Sequence, residues 1–412
     1  MKLKSTVFIL LFFIASIVFP QSIVNQVKID TLKQYLQELT GFSSCTIDGS
    51  AYTITSRNTL YTTMTSLAIK YIKYRLQSYG LTVTEQTFIY TENSKNYKIK
   101  NIYAVQKGSQ YPDKKFIVCA HYDSMPSAEL SPGADDNGSG ACAVLEAARI
   151  ISKYNPKYTV EYVLFGAEEQ YLVGSRYFVQ QAYQNNDDIV GVLNLDMIGW
   201  DKDGDNCMEL YYQTPSGKET LMSELLNSLT AVNQNYNIGL TLVQMNTASV
   251  SSDHTAFYEY GYPAVLAIEE ISDFNEGYHT AQDNFSNIYM DFYEKCSKLA
   301  ITALAEISVV ESPVSIEENK QIPSEFALYQ NYPNPFNPST VISYNIKTAG
   351  HVRLAVFDLL GREIKTLVDQ YQPEGRQQVT FSVEDKGITS GIYLYRLQTE
   401  NLSQIKKMVY MK

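Results

Sequence analysis

Three of the four histidines in this 412-residue chain stand in or beside runs of carboxylates. His121 is followed two residues on by Asp123, His279 sits in a YHTAQD run at 278–283, and His254 follows Asp253. Further carboxylates come in a PGADDNGSG run at 132–140, in AEE at 167–169, and at Asp196. Imidazole and carboxylate are the donors suited to Zn2+. Two such ions ~3.5–4 Å apart need two or three protein ligands each, with a carboxylate and a water between them. Such a pair can polarise a carbonyl and steady a tetrahedral intermediate, while a free carboxylate carries a proton from water to a leaving amine. Adjacent side chains diverge, so Glu168 and Glu169 can supply one base and one ligand. Each short motif is weak alone: a lone His-x-Asp is usually a surface pair and a lone Glu-Glu a solvated run.

What raises these residues above that background is where they fall. Phe116–Ala120 is a continuous apolar run, as expected of a strand buried on both faces, and His121 and Asp123 follow it. Two residues apart in extended chain, their side chains point the same way. Thr159–Gly166 reads as a second buried strand running into Glu168 and Glu169, Ile189–Leu195 as a third ending at Asp196, and Tyr262–Ile268 as a fourth, ending near Glu269 and Glu270. The glycine-rich 132–140 loop feeds a helical stretch, Ala141–Ser152, with Val144, Leu145, Ala148 and Ile151 on one face. A second helical stretch covers Leu60–Gly80, and Tyr97–Val105 is extended. Strands alternating with helices predict an α/β domain with a mixed, largely parallel central sheet flanked by helices. In such sheets the site lies beyond the carboxyl ends of the strands.

Taken together, HYD at 121–123, GADDNGSG at 133–140, AEE at 167–169, NLDM at 194–197 and YHT at 278–280 resemble the zinc aminopeptidases of peptidase family M28, in the family's order and spacing. The resemblance implies a zinc-exopeptidase fold and two Zn2+ per chain. It implies that His121 and Asp196 bind one zinc, that Glu169 and His279 bind the other, and that Asp135 bridges them. Glu168 would be the general acid/base, and Asp123 would orient the imidazole of His121, as ligand histidines require. A cis-type peptide at Asp135–Asp136 is implied as well. His254 is expected to be a structural neighbour of the site and not a ligand. Some secreted members carry a tyrosine just before the Ser-Asp-His element; here Ala248, Ser249 and Val250 occupy that stretch, which leaves the oxyanion-stabilising side chain open.

The reading that follows is a secreted metallo-aminopeptidase that hydrolyses N-terminal residues of peptides through a two-zinc-activated water. Glu269 and Glu270 are candidates to meet the substrate's free amine. One alternative is a one-zinc glutaminyl cyclase-like acyltransferase on the same scaffold, although the intact DDNGSG run argues against it. A carboxypeptidase or dipeptidase is another. A catalytically silent peptidase-like binding module is a third, but it would be expected to have lost ligands.

The chain's ends read differently. Residues 1–21 have Lys2 and Lys4 before the apolar run Val7–Phe19, which predicts a secretory signal peptide too short to span a bilayer. Residues 22–310 are expected to form the peptidase domain, 311–324 a polar linker, and 325–412 a small all-β sandwich. In that last part strands are expected at Val341–Ile346, Val352–Phe357, Gln378–Val383, Ile392–Gln398 and Ile405–Met411. The run YPNPFNPST at 332–340, VFD at 356–358, GIY at 391–393 and the closing basic strand with Lys406 and Lys407 resemble the C-terminal sorting domain of Por, or type IX, secretion cargo. The resemblance implies secretion machinery as a partner and a secreted or cell-surface product. His351, in this region, reads as a strand surface residue.

A net charge of −11 argues against nucleic acid or an anionic membrane surface as partner. No apolar run reaches the ~20 residues of a transmembrane helix. Five cysteines with no short spacing are not a disulfide framework, and no pairing can be named.

Overall fold

Four parallel strands form the heart of an eight-stranded sheet, and their shared direction decides where the chemistry falls. In a computed structural model, residues 21–308, 310–311, 326–329, 331, 334–358, 361–372, 374–383, 388–400 and 402–411 are described. The expected signal peptide up to residue 20 and the expected linker from 312 onward lie outside the described residues. The chain divides into two units, Met1–Val314 and Ser315–Lys412.

In the first unit the sheet strands are β1 (Val83–Glu92), β2 (Lys95–Gln106), β3 (Tyr111–His121), β4 (Tyr158–Phe165), β5 (Asp188–Leu195), β6 (Cys207–Gln213), β7 (Thr241–Asn246) and β8 (Ala264–Glu269). Their order across the sheet is β7-β6-β8-β5-β3-β4-β2-β1. β8, β5, β3 and β4 pair in parallel, and so do β7 and β6; the other three pairings are antiparallel. The central strands are apolar along their length and buried on both faces, Phe165, Val192, Leu195 and Leu266 being sealed from solvent.

Helices α1 (Ile29–Leu39), α2 (Thr62–Ser78), α3 (Gly140–Ile151), α4 (Val173–Gln184), α5 (Glu219–Asn235), α6 (His254–Glu259) and α7 (Met290–Ile307) cover the sheet. α3 is buried almost all round: eleven of its twelve residues are enclosed, all but Arg149. It joins α1, α2, α5 and α7 in the larger core. The other face is a smaller core of Phe165, Phe178, Val179, Phe257 and Ala264 under α4 and α6. None of the helices among the described residues is long and apolar enough to cross a membrane. All five cysteines are buried free thiols, so the open question of pairing resolves to none.

Among its described residues the second unit is all β, with a three-stranded sheet and a four-stranded sheet. Ile342, Tyr344 and Phe381 of the first sheet share one core with Val352, Leu354, Tyr395 and Met408 of the second, which makes a sandwich. The five expected strands are present, with two more at Ala327–Leu328 and Glu363–Gln372. The second of these is an edge strand whose side chains are mostly exposed, so no buried alternation marks it in the sequence. His351 is exposed on its strand, 3.6 Å from Asp369 Oδ1.

Candidate metal centre

β3 ends at His121, β4 runs through Gly166 and Ala167 into Glu168, and β5 ends one residue before Asp196. Because these strands are parallel neighbours, three separate stretches of sequence deliver imidazole and carboxylate to one rim. The remaining donors come from loops: the wide turn Ala134–Ser139 ahead of α3, and the loop carrying His279. Three residues here hold left-handed backbone although none is glycine: Ala167 (φ 59°), Met197 (φ 53°) and His279 itself (φ 56°). Such positions cost of order 1–3 kcal/mol and persist only where the surroundings impose them.

Two groups of donor atoms result, each with its members within 4.8 Å of one another: His121, Glu168 and Asp196, and Asp136, Glu169 and His279. Asp136 joins the groups. Its Oδ1 lies 3.2 Å from His121 Nε2 and its Oδ2 lies 3.2 Å from His279 Nε2. Asp196 Oδ1 is 3.4 Å from His121 Nε2, Glu168 Oε2 is 3.9 Å from it, and Glu169 Oε2 is 2.9 Å from His279 Nε2.

Asp135, the bridging residue expected from sequence, does not point here. Its Oδ1 accepts the Gly199 amide at 2.8 Å and its Oδ2 the Asn275 side-chain amide at 3.0 Å. Neighbouring side chains on this turn diverge, so Asp135 enters a structural network and Asp136 enters the site. The cis peptide is displaced by the same one residue, to Asp136–Asn137. Asp283 holds the turn from behind, its two oxygens accepting the amides of Asp135 (2.9 Å) and Asp136 (3.0 Å).

Supporting contacts orient the donors. His121 Nδ1 is 3.2 Å from the carbonyl oxygen of Asp123, which directs a proton on Nδ1 toward that oxygen and leaves the Nε2 lone pair facing Asp136 and Asp196. The Asp123 carboxylate accepts the amides of Glu168 (3.2 Å) and Glu169 (3.3 Å) and the hydroxyl of Thr59 (3.2 Å). Ser252 donates to Asp196 Oδ2 at 2.6 Å and receives the Asn194 amide at 2.8 Å. Thr59 lies in no motif, and Ser252 and Asp283 belong to the Ser-Asp-His and YHTAQD runs, in which only the histidines and Asp253 draw attention as donors.

The electrostatics follow from enclosing so many carboxylates. Burial pushes Glu168 well above the usual carboxylate range, against the pull of His121, and Asp253, Asp196 and Glu169 add to the rise. Burial and Asp136 push Glu169 up to about 8. Asp136 is also buried, yet His121 and His279 hold it far below its ordinary value. Burial disfavours the charge on His279, but Asp136 and Glu169 outweigh it and raise the imidazole to about 10.

The donors open onto a cleft of about 120 Å3 whose other walls are Met197, Val250, Ile268, Ile271, Phe274 and Tyr278. The Tyr278 ring stacks on His279 at 3.7 Å. A larger groove of about 580 Å3 at the opposite ends of the strands, by Phe116, Tyr158 and Leu225, has no such convergence of ligand groups. His254 packs edge-on against Tyr258 and belongs to neither donor group. Glu269 is fully buried, accepting the Asn275 amide at 2.9 Å, and the partly exposed Glu270 bonds the Ser272 hydroxyl; neither is among the residues lining the cleft.

Residues 101–304 match Peptidase family M28, and residues 330–411 match the Secretion system C-terminal sorting domain. Aminopeptidase YwaD of Bacillus subtilis is 32% identical over 219 residues, covering 51% of this chain and 45% of that one. Leucine aminopeptidase 1 of Ajellomyces capsulatus is 32% identical over 212 residues, covering 48% and 54%. The chain thus spans about half the length of the curated relatives it matches. The fold is shared with the Legionella pneumophila LapA aminopeptidase (TM-score 0.56, 23% identity, 71% of this chain and 74% of that one). It is shared too with the Porphyromonas gingivalis glutaminyl cyclase (TM-score 0.54, 21% identity, 69% and 99%).

Proposed function

We propose that this chain, which carries a Peptidase family M28 domain and a C-terminal sorting domain, is a secreted two-zinc aminopeptidase. One observation carries the proposal: Asp136 offers one carboxylate oxygen to each of two histidines, and each histidine has its own further carboxylate, Asp196 or Glu169. The donor chemistry fits zinc, which takes imidazole nitrogen and carboxylate oxygen. Glu169 Oε1 and Asp196 Oδ1 are buried with no hydrogen-bond partner among the described residues, a costly state for a carboxylate without a cation. His121, Asp196 and Asp136 would hold one ion, and His279, Glu169 and Asp136 the other.

Bound zinc supplies Lewis acidity toward the scissile carbonyl and lowers the pKa of water. The chain's own residues do the rest. Glu168 stands farther from His121 Nε2 than Asp136 or Asp196 does, and burial raises its affinity for a proton. Its Oε atoms therefore take a proton from the attacking water and pass it to the leaving amine nitrogen. Tyr278 lies in the cleft against His279, and burial together with the surrounding carboxylates keeps its phenol protonated. Its hydroxyl is the donor available to the developing oxyanion, the part that Ala248–Val250 cannot supply. The apolar wall of Met197, Val250, Ile268 and Phe274 would receive the side chain of the N-terminal residue. The sorting domain would address the peptidase to the cell surface or medium through type IX secretion.

Zinc content of the mature protein, paired with release of nitroaniline from aminoacyl-nitroanilides with and without a chelator, tests the reading. Two zincs and chelator-sensitive release are expected. One zinc with pyroglutamate formation would point to the cyclase reaction of the structural neighbours, and no metal to a silent module. Glu168→Gln should keep zinc and lose ~10²–10⁴-fold in turnover; undiminished turnover would remove Glu168 from the proton transfer.

A further inference from the structure

Ser56, Arg57, Asn58 and Thr59 are enclosed almost completely, although all four are polar and lie well before the stretch matching the peptidase family. Arg57 makes no ion pair among the described residues. Its Nε donates to the Tyr122 carbonyl at 2.7 Å, Nη2 to the Gly133 carbonyl at 2.8 Å, and Nη1 to the carbonyls of Pro132 and, at 3.4 Å, Leu39. Tyr122 lies between His121 and Asp123, while Pro132 and Gly133 lead into the turn carrying Asp136. One rigid guanidinium fork thus ties together the two backbone segments that deliver His121 and Asp136.

The neighbouring residues reinforce the tie. The Arg57 amide donates to Ser124 Oγ, which donates in turn to the Ser131 carbonyl at 2.9 Å, and the Asn58 side chain donates to the Ser124 carbonyl at 2.9 Å. The Thr59 hydroxyl bonds the Asp123 carboxylate that also holds the amides of Glu168 and Glu169. An apolar side chain at 57 would escape the desolvation of a buried charge but leave those carbonyls unpaired.

We infer that Arg57 and Thr59 are positioning residues for the metal centre: Arg57 sets the spacing of His121 from Asp136, and Thr59 fixes the carboxylate that carries the Glu168–Glu169 backbone. The inference rests on the two-zinc reading. Its test uses the full chain with Arg57→Lys, which keeps the charge but not the fork, and Thr59→Val, which removes only a hydroxyl. Metal affinity is measured by chelator competition, site geometry by the visible spectrum of the cobalt-loaded protein, and folding by the thermal midpoint of the metal-free form.

Thr59→Val is expected to leave the metal-free midpoint near that of the wild type, to weaken metal binding ~10–100-fold, and to lower kcat with little change in KM. Arg57→Lys should do the same and alter the cobalt spectrum; should it not fold, Thr59→Val decides alone. Folded variants with wild-type affinity and an unchanged cobalt spectrum would overturn the inference while leaving the two-zinc reading intact. A wild-type protein that takes up no metal would bring down both.

Discussion

Asp135 and Asp136 are chemically identical neighbours with different tasks. Asp135 is fully buried among the Gly199 amide, Asn275 and Glu269, and Asp136 faces both histidines. Nothing in their letters separates them, because the direction of a side chain on an irregular turn has no period to read. Substitution separates them. On the two-zinc reading, Asp136→Asn should lower zinc affinity ~100-fold or more, since it removes charge that both ions would share. Asp135→Asn should keep zinc and instead lower the thermal midpoint, with a loss of roughly 1–3 kcal/mol from a disturbed buried network. Zinc analysis and thermal melts of the two variants check this, and equal zinc loss in both would contradict the assignment.

The strands explain why the donors converge, and the close approach of α3 to β5 explains why they stay. A Cβ at Gly140, the first residue of α3, would collide with the carbonyl oxygen of Leu195 and the side-chain oxygen of Asn137. Asn137 also bonds the Leu195 carbonyl at 2.8 Å, so helix start, turn and strand end form one joint immediately before Asp196. Gly140→Ala should therefore cost ~1–3 kcal/mol in denaturant unfolding and weaken zinc binding as well, because the strand end must shift. Ordinary helix propensity predicts the opposite sign, as alanine outranks glycine within a helix. α3 and the central strands were legible from apolar runs. α1 and α4 to α7 have no such clear signature; Tyr35, Leu36 and Leu39 of α1, for example, are buried but stand among Lys33, Gln34 and Gln37.

Over the first unit, folding without metal gathers carboxylates whose charge is poorly tolerated. Burial raises Glu169 and Asp283 to about 8 and Asp253 to about 7, while His279 is raised to about 10 by Asp136 and Glu169 against burial. Between pH 6.5 and 8 the folded metal-free protein therefore binds more protons than the unfolded chain, whose carboxylates are already ionised and whose histidines are losing their protons. Stability of the metal-free form must fall as pH rises through that window, by ~1.4 kcal/mol per pH unit for each extra proton retained. His254, lowered to about 3 by burial, is neutral in the folded protein while the unfolded imidazole still holds part of a proton near pH 6.5, so it opposes the slope there and fades out by pH 8, outnumbered by the raised groups. Bound zinc would reverse the trend, since its ligands bind deprotonated and its affinity rises with pH. Thermal midpoints with and without chelator at pH 6.5 and 8 should show the zinc-induced gain growing with pH; a metal-free midpoint that climbs over this range would refute the account.

Residue types, their order along the chain and the apolar runs before them were enough to read the donor chemistry, the parallel α/β core and the β-rich end. These depend on local patterns: a buried strand must be apolar, and zinc must be met by nitrogen and oxygen. Which of two adjacent aspartates faces the two histidines, that Tyr278 stacks on His279, and that Arg57 braces loops from more than sixty residues away depended on folding in three dimensions. Each is a matter of distance and direction between segments remote in sequence, and linear spacing carries no record of either.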